Sequence, residues 1–175
     1  AALSSLTGPG FAALRLISFL SALGSMGLIG FIVSRETACR VAGLWAAGLF
    51  AATYHASATY LDIGRIDSLF LFLVLGSVAA IRFAAGTPGS LLAAGLLVCA
   101  ALTKQTALVL SLPLVLYAFM ARARMQALIF IGTFAVGVAF MIVLLNVASS
   151  GWYMQYVFTL PGQHPILWER MSPFW

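Results

Sequence analysis

The fold class the sequence predicts is all-α: a polytopic transmembrane helix bundle of about six membrane segments. Three observations predict it. The chain of 175 residues is 63% hydrophobic and only 7% charged, whereas a soluble domain carries about 25% charged residues. So little charge cannot cover a water-facing surface, and lipid must be the solvent over most of the chain. Several apolar runs approach or exceed the roughly 20 residues that a span needs. The few charged residues fall at the ends of those runs.

The first span covers residues 11–33, after the punctuation Gly8-Pro9-Gly10. At about 1.5 Å per residue it is roughly 34 Å long, enough to cross. A short loop, SRETACR, carries Arg35, Glu36 and Arg40. The second span covers about residues 41–60, with Tyr54, His55 and Tyr60 near its end, and is followed by LDIGRIDS with Asp62, Arg65 and Asp67. The third covers residues 68–83 and closes on Arg82 and the turn GTPGS. Next come two short apolar halves, about 90–103 and 107–120, interrupted by Lys104-Gln105-Thr106. Neither is a comfortable span alone, so they read as two short helices meeting at Lys104, with Pro113 kinking the second. After Arg122 and Arg124 a last clean span covers residues 126–147.

The sequence thus divides into a transmembrane helical domain, residues 1–148, and a polar-aromatic external loop, residues 149–175. The tail holds Trp and Tyr at headgroup level, and Pro161 and Pro165. No repeat of twenty to fifty residues is visible. No basic leader precedes the first span, so it is not a signal peptide. Both ends read as cut from something longer.

Lys and Arg set the sidedness. Arg35, Arg40, Arg82, Arg122 and Arg124 fall on one side, opposed by Glu36; Arg65, Lys104 and Arg170 fall on the other, mixed with Asp62, Asp67 and Glu169. The positive-inside rule puts the first group in the cytoplasm. LDIGRID, the Lys104 break, the tail and the start of the first span, with Arg15, then face the external side. The net charge of +5 does not point to nucleic acid, because the basic residues form no stripe with interleaved aromatics. Cys39 and Cys99 have no metal-site spacing with His55 or His164, and a disulfide is not expected.

Asp62 and Arg65, at i and i+3, can pair on a helix, and Asp67 can cap the third span. The functional alternative has Arg65 binding an anionic group while the aspartates orient it or bind a metal. Lys104 at a helix break is costly unless paired or wet. It either snorkels or contacts a phosphate, with Thr103 or Thr106 capping the following helix and that helix N-terminus favouring an anion. Arg15 reads as snorkelling, His55 as hydrogen-bonded to a neighbouring helix, Asn146 as interhelical polar glue, and His164 as structural or ligand-binding. Arg65, Lys104 and a carboxylate pair at one membrane face suit a lipid-borne phosphate. Metal dependence stays open, a divalent cation being admissible, because the carboxylates are too few to define a site.

Three pieces in order resemble the GT-C superfamily of membrane glycosyltransferases, in its bacterial protein-mannosyltransferase-like and aminoarabinose-transferase-like branch. They are Arg-x-Asp opening a span (Arg65, Asp67), Thr-Lys-Gln-Thr between short helices (Thr103 to Thr106), and Tyr-Val-Phe, Leu-Pro and His-Pro in the tail (Tyr156 to Pro165). The resemblance implies transfer of a sugar from a polyprenyl-phosphate donor to an acceptor on the extracytoplasmic face, the acceptor being unspecified. It implies that Arg65 and Lys104 hold the lipid phosphate, and the wider substrate-contacting set is Arg65, Asp67, Lys104, Asp62, Gln105 and His164. Such enzymes take their catalytic carboxylate from the first external loop, which is expected upstream of Ala1, so this stretch alone is expected to be inactive. Two rivals remain: a secondary transporter with a site in a broken helix, and a non-catalytic membrane scaffold.

Overall fold

The structure, a computed structural model, describes residues 11–53 and 65–163. Over those residues the regular structure is helical: α1 (Ala12–Thr37), α2 (Arg40–Ala52), α3 (Ile66–Phe83), α4 (Gly86–Thr103), α5 (Thr106–Ala121) and α6 (Arg124–Ala148), then short turns of helix. Among the described residues four helices, α1, α3, α4 and α6, are long and apolar enough to cross a membrane, while α2 and α5 are shorter apolar helices. The all-α membrane bundle is borne out.

Several boundaries differ from expectation, among them the end of the second span, expected near residue 60 but reached at Ala52. α1 does not stop at Val33 but runs through Arg35 and Glu36 to Thr37, ending where Ala38 turns left-handed at φ 52°. The loop to α2 shrinks to Ala38 and Cys39. α4 begins at Gly86, so the expected turn GTPGS forms its first turns and the helix reaches 18 residues. Pro88 is tolerated there because first-turn N–H groups have no intrahelical partner. α4 is therefore a candidate span in its own right, and of the two halves around Lys104 α5, with 16 residues, is the one that stays short. α5 is continuous through Pro113.

The chain divides into two compact units, Ala1–Gly137 and Val138–Trp175. In the first, α1 packs against α2 and α3, α3 against α4, and α5 touches α4 and α3. The interior is built from small residues. α1 buries Ala13, Ser18, Ser21 and Ser25, and α4 buries Gly89, Ser90, Ala93, Ala94, Leu97 and Ala100. Large apolar side chains such as Leu14, Phe19, Leu44, Trp45 and Val109 face outward. A water-soluble core would reverse this order. In lipid, where tails are as apolar as Leu, close backbone approach holds helices together instead.

The small residues sit where the helices meet. A Cβ on Gly43 of α2 would overlap Ser34 Oγ and the carbonyl oxygen of Gly30, both on α1. A Cβ on Gly24 would stand 2.6 Å from the Phe72 ring of α3. Ser77 of α3 donates to the carbonyl of Ala93 on α4 at 2.8 Å.

Charge gathers at both ends of this unit. Where α1 and α3 end, Arg82 Nε meets Glu36 Oε1 at 2.5 Å. At the same end Arg122 donates from Nε to the Ile81 carbonyl (2.7 Å) and from Nη2 to those of Ala84 (2.6 Å), Ala80 (3.2 Å) and, more tightly, Ile81. These carbonyls lie at the C-terminal end of α3 and its cap, where intrahelical donors run out, although that of Ala80 also accepts the Ala84 N–H at 3.0 Å. A cation there also complements the helix dipole.

In the second unit the expected loop is helical over its described part. Trp152–Met154 is α-helical, Gln155–Thr159 a π-helical turn and Leu160–Gly162 α-helical again. The reason is local. Ser150 and Gly151 take positive φ of 52° and 90°, which ends α6 and re-aims the chain. Ser149 Oγ and Asn146 Oδ1 then accept the backbone N–H groups of Tyr153 (2.8 Å) and Met154 (3.2 Å). Asn146 is thus a cap for the following turn rather than glue between distant helices. Trp152 stacks on Tyr156 with ring centroids 5.5 Å apart.

Candidate functional site

α3 starts abruptly. Arg65 is its N-cap residue, in extended conformation, and makes no side-chain cap. On α1, the hydroxyl of Ser18, almost fully buried, donates to the Arg65 carbonyl at 2.9 Å. That bond fixes where α3 begins relative to α1. Asp67 follows in the first turn of α3. It does not act as the N-cap that its place before Ser68 suggested.

Its carboxylate is instead a bridge. Asp67 Oδ1 accepts from Lys104 Nζ at 2.7 Å, and Asp67 Oδ2 lies 3.1 Å from Arg65 Nε. Lys104 stands 37 residues away in sequence, at the break where α4 ends and its backbone becomes extended. The ammonium also lies 5.9 Å from the centroid of the Phe70 ring, one turn further along α3, within reach of a cation–π contact. Neither sequence reading of Lys104, a snorkelling tip or a phosphate ligand, included Asp67 as its partner.

The cluster is open to solvent. Side-chain exposure is 40% for Lys104, 51% for Arg65 and 32% for Asp67. Partly screened pairs of this kind add little to stability, so the geometry has to be explained by what it positions. Two cations converge on a two-oxygen anion about the width of one edge of a phosphate. A guanidinium carries five N–H donors and an ammonium three, more than the two oxygens of Asp67 bind at one time.

Gln105 is exposed and forms the N-cap of α5, without a side-chain capping bond. The expected threonine cap is also absent at this helix start: Thr103 Oγ1 donates back to the Ala100 carbonyl at 2.7 Å, and Thr106 is simply the first helical residue. Arg15 is exposed on α1, one turn before Ser18 and hence at the same end. Asp62 and His164, and also His55, Tyr54 and Tyr60, lie outside the described residues. Among the described residues no three His, Cys, Asp or Glu side chains come together as a metal site. Cys39 and Cys99 are free thiols.

The structure therefore brings Arg65, Asp67 and Lys104 together and sets Gln105 beside them. Sequence reasoning missed Ser18 and Phe70. Phe70 had a signal: three residues beyond Asp67, it shares that residue's face of the helix. Ser18 had a weaker one, as part of the small-residue face with Ser21 and Ser25.

The model of glycosyltransferase family 87 matches residues 2–172 of this chain. No curated protein matches it, and no solved structure does. The resemblance to membrane glycosyltransferases that the motifs carried is borne out at the level of the family.

Proposed function

The chain belongs to glycosyltransferase family 87, and on that premise we propose that it moves a sugar from a polyprenyl-phosphate donor, using Arg65 and Lys104 to hold the donor's phosphate. It is an integral membrane protein of a glycosyltransferase family. The observation that carries the proposal is the convergence of Arg65 and Lys104 on the two oxygens of Asp67.

In the reaction the acceptor's hydroxyl oxygen bonds to the anomeric carbon, its proton passing to a general base, as the bond from that carbon to the phosphate oxygen breaks. Negative charge develops on the departing polyprenyl phosphate. Cationic donors already aimed at that position stabilise it more in the transition state than in the ground state. Asp67 holds the two cations in register, and the phosphate binds against both of them. In this reading Gln105 offers a neutral donor at the start of α5. Asp62 and His164 complete the proposed contact set.

The enzyme is proposed to work in the GT-C manner, in a bacterial plasma membrane, with the Arg65–Lys104 end extracytoplasmic. What supports that orientation is the arginine excess at the other end, where Arg35, Arg40, Arg82, Arg122 and Arg124 face a single carboxylate, Glu36.

The test is sugar transfer in membranes carrying the full-length gene product, with Arg65→Ala and Lys104→Ala compared with the unmodified enzyme. Loss of one preorganised oxyanion donor lowers the rate by about 10²–10³-fold in a closed site. Because this cluster is partly exposed, a loss of about tenfold to a hundredfold is expected for each variant, roughly 1.4–2.7 kcal/mol. Wild-type activity in both variants would overturn the phosphate assignment.

A further inference from the structure

At the other end of the first unit, near Glu36, Arg82 and Arg122, the positive charge exceeds what the described residues neutralise. Arg82 is paired with Glu36, and Arg122 is committed to the carbonyls of α3. Arg35, Arg40 and Arg124 are exposed, and among the described residues they have neither a hydrogen bond nor an ion pair.

All three lie at this same end of the unit. Arg35 is in the last turn of α1, and Arg40 opens α2 across the two-residue turn Ala38–Cys39. Arg124 opens α6 just after Arg122, which is anchored on the end of α3. Arg35 is also held in place. Its guanidinium lies 5.7 Å from the centroid of Phe83, as does that of Arg82, and Phe83 is braced edge-on by Phe31 at 5.4 Å. A ring fixes the guanidinium without using its N–H donors. All five of Arg35 remain for an acceptor in front of it.

Two of these arginines are placed against the local field. Arg40 and Arg124 sit at the starts of helices of 13 and 25 residues, with no acidic residue in either first turn. A cation at that position is opposed by the helix dipole. An anion in front of it relieves both.

We infer that this arginine-rich end is a binding surface for anionic phospholipid headgroups, with Arg35, Arg40 and Arg124 as its contacts. The occupant follows from position and charge. These residues terminate apolar helices and so lie at headgroup depth, and the headgroup phosphate is the anion present there. Attraction to an anionic leaflet amounts to about a fivefold gain per arginine near the surface. The inference is independent of the donor-phosphate reading, which concerns the opposite end of α3.

The test uses the full chain reconstituted in vesicles of phosphatidylcholine with a minority of phosphatidylglycerol. Spin-labelled versions of the two lipids report their relative association with the protein. The expected result is a severalfold preference for phosphatidylglycerol that declines with added salt. It falls by about fivefold or less in each of Arg35→Gln and Arg124→Gln. Single variants leave four of the five arginines, so membrane orientation is retained. Absence of any preference in the unmodified protein overturns the inference without recourse to variants. So does a preference that both variants keep in full. Glycerol phosphate in solution should not compete; if it abolishes the preference, the surface binds soluble anions and not the lipid.

Discussion

Gly43→Ala tests whether close backbone approach holds α1 to α2. The new methyl group would collide with Ser34 Oγ and with the Gly30 carbonyl oxygen. Ser34 can rotate away. The Gly30 carbonyl belongs to the α1 backbone and cannot. The helices must separate by about 1 Å, and a gap of that size forfeits a quarter to a half of each dispersion contact along the interface. Overpacking of this kind costs about 1–3 kcal/mol. Replacing Gly by Ala in a helix returns about 1 kcal/mol, which would obscure the loss in a single measurement. Gly48→Ala supplies the correction. Gly48 lies in the same helix, exposed, with nothing within 4 Å of an added Cβ, so that variant receives the propensity gain alone. The difference between the two variants isolates the packing term, about 2 kcal/mol. Unfolding by sodium dodecyl sulfate from mixed micelles measures both. If Gly43→Ala proves as stable as Gly48→Ala, the account of the α1–α2 contact is refuted.

Ser18→Ala should lower kcat more than it raises the KM for the sugar donor, since Ser18 fixes the Arg65 carbonyl and Arg65 acts mainly in the transition state; its stability cost is about 1 kcal/mol. Ser18→Thr, which keeps the hydroxyl, should restore kcat if the hydroxyl is what matters, and steady-state kinetics on both variants decides it. Arg122→Gln should lower stability by about 2 kcal/mol, because charge-assisted bonds to carbonyls are each worth roughly 1.5–3 kcal/mol. Arg122→Lys should recover only part of this in the same detergent titration, as one ammonium cannot reproduce a forked contact with Ala80, Ile81 and Ala84.

Much of the architecture was legible because lipid imposes a simple rule: every backbone polar group must be satisfied within a helix. Apolar run lengths therefore located the helices, and the break at Lys104 was found where α4 gives way to α5. Topology alone then put Arg65, Asp67 and Lys104 at one end. The boundaries were less legible. GTPGS has the composition of a turn, yet Pro and Gly are equally at home in the first turn of a helix. SRET looked like a loop because it is polar, but a helix can continue beyond the hydrocarbon region. The partners of polar groups were least legible. Asp67 could cap its own helix or bind a distant cation, and the choice depends on Lys104, 37 residues on. Asn146 and Thr103 turned to local backbone groups, an option that Asn and Thr always carry.

Lys104 and Arg122 lie at opposite ends of the same helix, α3, and both come from the chain that follows it. One grips its first turn through Asp67 and the other its final carbonyls. α3 is consequently registered along its own axis, like a shaft held between two collars. A piston stroke of one helical turn, about 5.4 Å, would break both grips at once. Axial sliding of α3 is therefore unsuited as a gating motion in this enzyme. Any conformational change within this unit falls to elements that carry no such double restraint.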